Sequence, residues 1–220
     1  MGILYGVSVG AGDPELITLK AIRIIESCKV IAVPRTKQKN TLALNIVRQI
    51  LDLSEKKILY LDFPMSKNPE ILDRNYFQTA ELICQELRTQ DIAFLCLGDI
   101  GIYSTFAQIA ERVQKQGFEI RRCPGVPSFC AAAAEMNQSL VNQGETLEIL
   151  PYDCECFSEK LDSPGNKIIM KAGSHALELK DKLPNGWAVS DCGLENQQIF
   201  SDLHEIQENL SYFTLFYTKL

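Results

Sequence analysis

The sequence predicts an α/β protein of two domains. The N-terminal domain, residues 1–123, is expected to carry a parallel sheet flanked by helices, and the C-terminal domain, residues 124–220, a mixed sheet. Three observations carry that expectation. Up to Arg122, short apolar runs alternate with stretches whose apolar residues recur at helical spacing, the pattern of parallel strands joined by right-handed crossovers. After Pro124-Gly125 the pattern changes: loops lengthen and helices shorten. The chain has 220 residues, 46% of them hydrophobic, which suffices for a full core in one large or two small domains.

Each element has its own reason. Ile3 to Val9 is an apolar run bounded by glycine and reads as a strand. Asp13-Pro14-Glu15 is expected to open the first helix: Asp13 caps it, Pro14 suits its first turn and Glu15 meets the positive end of its dipole. Leu16, Leu19, Ile22 and Ile25 follow at helical spacing. Val30 to Val33 reads as a strand stopped by Pro34. Leu42 to Leu51 reads as helix, Ile58 to Leu61 as strand and Glu70 to Leu87 as a long amphipathic helix. Ile92 to Leu97 is a strand, Phe106 to Gln116 a helix and Phe118 to Arg122 a strand. An alanine-rich helix near Phe129 to Glu135 then leads to strands at Leu147–Leu150, Ile168–Met170, Trp187–Val189 and Phe213–Tyr217. Trp187 reads as core. His175, behind a capping Ser174, reads as a surface helix residue and not a catalytic base.

Charge and cysteine usage narrow the class. A formal net charge of -6 argues against a nucleic-acid partner, which needs a concentrated basic face. No apolar run is long enough to span a bilayer. Met1 to Gly10 lacks the basic region of a signal peptide, and Gly6 stands where a myristoylation motif needs Ser or Thr. A cytoplasmic protein with no membrane partner is expected. Of the eight cysteines most sit in apolar runs and none forms a CxxC pair, so buried reduced thiols are expected over disulfides. Cys154-Glu155-Cys156 is the one close pair. His175 and His204 lie far from it in sequence, so no protein-bound metal is expected.

Three strand ends are rich in glycine and proline. Phe94 to Thr105, FLCLGDIGIYST, reads as a buried strand breaking into a tight acidic turn before a helix. The carboxyl end of a parallel strand is where ligands bind. Asp99 there is placed to meet the hydroxyls or cation of a small molecule, or else to cap a helix. Gly6-Val-Ser-Val-Gly10-Ala11-Gly12-Asp13-Pro14 has two glycines of a dinucleotide fingerprint, but Glu15 replaces the third and no P-loop lysine is present. It is either a strand-to-helix turn or a turn kept small for a ligand. Arg122-Cys-Pro-Gly-Val-Pro-Ser-Phe129 ends a third strand. Three such ends on one sheet edge favour a shared cleft. A basic run, Arg35, Lys37 and Lys39, follows the second strand. It is either a solvated loop or a clamp for ligand carboxylates.

GVSVGAGDPELITLKA, AFLCLGDIGIYST and CPGVPSFCAAAAEMNQSLVNQGETLEILP together resemble the tetrapyrrole methylase family. The resemblance runs nearly end to end. Phe63-Pro64-Met65, Leu97 to Phe106 and Pro124 to Pro151 resemble its precorrin-2 and cobalt-precorrin-2 C20-methyltransferases of cobalamin synthesis. The resemblance implies two α/β domains with S-adenosylmethionine folded into the cleft between them, and a homodimer. It implies cofactor contacts from Ala11, from Leu97, Gly98, Asp99 and Ile102, from Pro127 and Ser128, from Met170, and near Cys192 or Gly193. Two positions depart from the family pattern: Ala11 and Ile100 stand where its loops carry proline.

The implied reaction is methyl transfer from a sulfonium to a meso carbon of a reduced tetrapyrrole. Neighbouring pyrrole nitrogen activates that carbon, so no enzyme nucleophile is needed, and the protein's task is alignment and exclusion of water. This suits a chain with two histidines and no Ser-His-Asp set. Tyr103 and Asp99 are the candidates to accept or relay a proton, against ordinary roles in packing and cofactor contact. Arg35, Lys37 and Lys39 are the candidates to hold the substrate's carboxylates. Three alternatives stay open: another ring carbon, a protein substrate as in diphthine synthase, or a non-catalytic binder of the same ligands.

Overall fold

The computed structural model describes residues 1–35, 41–64, 66 and 68–219. The chain divides into two compact units, Met1–Pro127 and Ser128–Leu220.

Unit 1 runs β1 (Ile3–Ser8), α1 (Leu19–Ser27), β2 (Val30–Arg35), α2 (Leu42–Arg48), β3 (Lys57–Asp62), α3 (Pro69–Leu87), β4 (Ile92–Cys96), α4 (Phe106–Lys115) and β5 (Glu119–Cys123). Its strands form one sheet in the order β3-β2-β4-β1-β5, and every pairing is parallel. Both faces of that sheet are covered, which is why the central strands read as unbroken apolar runs. Alternate side chains separate into two cores. Leu4, Ile92 and Phe94 pack with Ile83 and Phe106 on the face covered by α3 and α4. Val7, Ala93 and Leu95 pack with Ile25 and Leu44 on the face covered by α1 and α2. Phe94 is fully buried, with its ring centroid 5.2 Å from that of Phe106, so truncation to alanine is expected to cost about 3–5 kcal/mol.

Several boundaries differ from the sequence expectation, α2 ending at Arg48 rather than Leu51 among them, and two have a clear physical reason. Asp13 caps only a single 3-10 turn, Pro14–Leu16, and α1 starts behind Thr18, whose hydroxyl accepts from the Ala21 N–H. Pro34 does not stop β2, which pairs with β3 as far as Arg35. The Arg35 carbonyl bonds toward β3, so the neighbouring Pro34 turns its missing donor toward the β4 side, where pairing has already ended at Ala32.

Unit 2 runs α5 (Ser128–Glu135), β6 (Leu147–Pro151), α6 (Phe157–Leu161), β7 (Asn166–Met170), α7 (Ala176–Lys182), β8 (Trp187–Ser190), β9 (Gln198–Phe200) and β10 (Thr214–Lys219). The sheet is mixed, in the order β6-β7-β10-β8-β9, with β6 parallel to β7 and the remaining pairs antiparallel. Trp187 is buried and stacks on Tyr217. His175 is half-buried and stacks on Tyr152 at 4.0 Å; it closes a 3-10 turn, Gly173–His175, and stands at the N-cap of α7, so Ser174 caps no helix and His175 is not the helix residue expected. Sequence reading did not foresee α6 or β9, both too short to show a period. None of the eight cysteines, all among the described residues, forms a disulfide. Five are buried, but Cys130 and Cys156 are exposed and Cys154 is half-buried, departing from the expectation of buried thiols. Among the described residues no cluster could hold a metal ion, and no helix is long and apolar enough to cross a membrane.

Candidate functional site

Parallel strands deliver their exits to one edge. In unit 1, β1 lies between β4 and β5, so the loops after these three strands are neighbours at the carboxyl edge. Hydrogen bonds join them. The Gly98 N–H donates to the Gly10 carbonyl at 2.6 Å, an isolated bridge between the first and second loops. The Ile100 N–H donates to the Oγ of Ser8 at 2.8 Å, and Ser8 is wholly buried.

Asp99 binds the second loop to the third. Its Oδ1 accepts the Gly101 N–H at 2.7 Å and its Oδ2 accepts the Gly125 N–H at 2.7 Å. The carboxylate is therefore a brace. It caps no helix, since α4 starts behind Thr105. Two glycines make the geometry possible. Gly98 turns with φ 73°, in the left-handed region. A Cβ on Gly125 would stand 2.5 Å from the Ser8 Cβ.

Around this brace the structure brings together several residues that the sequence singled out. Ala11, buried, follows the bridged Gly10; Leu97 and Ile102, both half-buried, flank the acidic turn; Pro127, half-buried, ends the third loop. Tyr103 is 49% exposed and holds φ 50°, a backbone conformation uncommon for an aromatic residue and found disproportionately at functional sites.

Other candidates lie elsewhere. Arg35 ends β2 and forms a two-pronged ion pair with Asp62, Nε to Oδ1 and Nη2 to Oδ2, with its guanidinium 5.1 Å from the Tyr60 ring centre. The hydrogen bonds from Arg35 hold the Asp62 carboxyl below the usual carboxylate range, and those to Asp62 push the guanidinium further up. Lys37 and Lys39 lie outside the described residues.

Ser128, Met170 and Cys192 belong to unit 2. Ser128 opens α5, Met170 ends β7, and Cys192 is buried just beyond β8. Because β10 pairs Leu215 with Met170 and Thr214 with Ser190, the exits of β7 and β8 share one sheet edge. Both exits turn through the left-handed region, at Lys171 (φ 60°) and Asp191 (φ 51°). Asp191 is buried, and its carboxylate accepts from Asn196 Nδ2 at 2.6 Å and Ser211 Oγ at 2.7 Å.

Ser8, Gly125 and Asp191 organise these edges and were not singled out as site residues from sequence. Ser8 had one visible signal, a hydroxyl inside an otherwise apolar strand. The bonds made by Gly125 and Asp191 join residues 26 and 20 positions apart, which no local pattern reports.

The sequence profile of the Tetrapyrrole (Corrin/Porphyrin) Methylases matches residues 3–207. The chain belongs to the tetrapyrrole methylases. This methylase is 35% identical over 171 residues to a probable cobalt-precorrin-2 C(20)-methyltransferase of Methanocaldococcus jannaschii, covering 76% of the chain and 71% of the relative. It is 28% identical to the cobalt-precorrin-2 C(20)-methyltransferase of Salmonella typhimurium, over 97% of the chain and 94% of the relative. The native uroporphyrin III C-methyltransferase of Thermus thermophilus shares the methylase's fold with a TM-score of 0.72, at 16% identity, over 99% of this chain and 97% of that one. The same Thermus enzyme complexed with S-adenosylhomocysteine superposes with a TM-score of 0.69 at 17% identity, over 99% and 97% of the two chains.

Proposed function

We propose that this methylase transfers the methyl group of S-adenosylmethionine to the C20 meso carbon of precorrin-2 or cobalt-precorrin-2 in cobalamin synthesis. The observation that carries the reading is the near end-to-end match to the Salmonella cobalt-precorrin-2 C(20)-methyltransferase. The geometry supports a place for it. Three loops braced by one carboxylate present backbone polar groups and half-buried apolar side chains on a rim too close-packed for a further Cβ at Gly125. That is the kind of surface a nucleoside with an amino-acid tail needs.

Ala11, Leu97, Gly98, Asp99, Ile102 and Pro127 of unit 1, and Ser128, Met170 and Cys192 of unit 2, are assigned to the donor. When bound, the donor supplies an electrophilic methyl on sulfur, and the chain's own residues orient and exclude water. Asp99 acts by fixing the rim, because both of its oxygens already hold backbone amides. The proton relay falls to Tyr103, whose ring is exposed beside that brace. Tyr103→Phe is expected to lower kcat about tenfold or more at unchanged KM for the donor; an unaltered kcat removes Tyr103 from the chemistry. Arg35, with Lys37 and Lys39, is assigned to substrate carboxylates, supplying local positive charge in a chain of net charge -6. The protein is read as a cytoplasmic homodimer that holds no metal of its own and engages neither nucleic acid nor membrane.

The test is anaerobic turnover of precorrin-2, with and without cobalt, using donor labelled with 13C in the methyl group. One new carbon signal at C20 is expected. Label at another ring carbon, or no transfer by protein that binds S-adenosylhomocysteine in calorimetry, overturns the reading.

A further inference from the structure

The carboxyl edge of unit 1 carries a second feature, at its β3 end. An open groove of about 380 Å³ is lined by Asp62, Phe63 and Pro64 from the end of β3 and by Ile71, Arg74, Asn75 and Gln78 of α3. Its walls combine apolar surface with a few polar groups. Phe63, Pro64 and Ile71 supply the apolar side. Asp62 is already engaged by Arg35, and Asp73, the neighbour of Arg74 in sequence, by Arg112. Arg74 itself is exposed and, among the described residues, has no ion-pair partner. Counting Arg35, Asp62 and Arg74, the groove carries one excess positive charge in an acidic chain.

Asn75 adds a second sign that a ligand belongs here. Its Nδ2 donates to the Asp62 carbonyl at 2.8 Å, while its Oδ1 is buried and, among the described residues, has no donor. Buried acceptors are almost always satisfied, so an orphan in a groove wall calls for a ligand or an ordered water.

We propose that this groove is a subsite for one carboxylate-bearing side chain of the tetrapyrrole, with Arg74 as the specificity residue. The proposal rests on the function proposed above. The methylenes of an acetate or propionate arm lie along Phe63, Pro64 and Ile71, and the carboxylate meets the Arg74 fork. Placement supports it. In the order β3-β2-β4-β1-β5, the groove at β3 is two strand spacings from the acidic turn after β4, about 10 Å. A flat macrocycle whose reacting carbon lies near that turn extends its peripheral arms over such a distance.

The probe is uroporphyrin, a stable octacarboxylate tetrapyrrole, titrated by fluorescence into wild type, Arg74→Gln, Arg74→Lys and a charge control, Arg23→Gln on the exposed face of α1. Arg74→Gln is expected to weaken binding about three- to tenfold, in the range of an exposed charge-assisted contact. Arg74→Lys should recover part of the loss, and Arg23→Gln should stay within about twofold. S-adenosylhomocysteine affinity should be the same in all four. An Arg74→Gln value within twofold of wild type overturns the subsite, as does an equal loss in Arg23→Gln, which would mean diffuse charge. Glutarate binding at Arg74 as tightly as the porphyrin would make the groove a site for free acids and also overturn it. The parent reading is scored separately, by turnover of the wild type. Failed methylation with Arg74-sensitive porphyrin binding sinks that reading and leaves the subsite standing, and the converse result sinks only the subsite.

Discussion

Replacing Asp99 by alanine tests whether the three bends of unit 1 form one binding rim. The substitution removes two acceptors of backbone N–H groups, each at 2.7 Å. Bonds to a charged partner contribute about 1.5–3 kcal/mol when shielded, and less where water can replace them. The Gly101 bond lies in an exposed turn and belongs at or below the low end. The Gly125 bond is half-buried and crosses between loops, so it keeps most of its value. The sum is about 2–3 kcal/mol, a drop of about 5–10 °C in Tm for a chain of this size. Asp99→Asn should cost nearly as much, because its NH2 group must face one of the two N–H donors. Amide exchange at Gly125 should accelerate in both variants, and the Kd for S-adenosylhomocysteine should rise about tenfold by calorimetry. A protein that loses the stability but keeps its affinity would show that the braced rim is not where the donor binds. Unchanged stability would refute the brace itself.

Three further outcomes are expected. The Asp62 carboxyl, held down by Arg35, should titrate below the usual carboxylate value of about 3.9 by NMR and return toward it in Arg35→Gln. Its folded pKa is depressed, so the pair's contribution is present above that value and lost only as pH falls through the lower one; equal midpoints in both proteins would dismiss the pairing. Thiol labelling of the native protein at pH 8 should reach Cys130 and Cys156 first. Burial pushes Cys28 and Cys84 up to about 11 and Cys96 to about 12, so rapid modification of these three would contradict the packing. Gly173→Ala should cost unit 2 about 3 kcal/mol or more in denaturant unfolding, since the added Cβ would lie 1.7 Å from the Ser211 carbonyl oxygen; a loss under about 1 kcal/mol would mean that the segment shifts freely.

Much of unit 1 was legible in the sequence because its strands are buried on both faces. Ile92 to Cys96 could hardly be anything but a central strand, and the glycines at its end mark where it must turn. Pro34 misled because its effect depends on which side of the strand has a neighbour, a fact of sheet order that no local pattern holds. Asp13 misled for a related reason: a side chain suited to capping found a turn too short to become a helix, and Thr18 took the longer one. In unit 2, antiparallel pairing and helices of five to eight residues left weaker periods, and α6 and β9 went unseen. At the site, residue types were readable and partners were not. Asp99 was marked by its neighbours Gly98 and Gly101, yet its bond to Gly125 follows only from β1 lying between β4 and β5. Arg35 was marked by a basic run, while Asp62 came from the adjacent strand.

Ile100 stands where the resemblance to the family implies a proline, and the structure shows what isoleucine does there. A proline ring would stiffen the bend by itself, whatever its surroundings did. Ile100 instead keeps an amide hydrogen and delivers it to the Ser8 hydroxyl beneath, while its side chain is buried against Phe106. Rigidity at this corner is therefore borrowed from the interior. It holds only while the aromatic packing below it holds, so warming or denaturant should soften the corner and the hydrophobic interior in the same step.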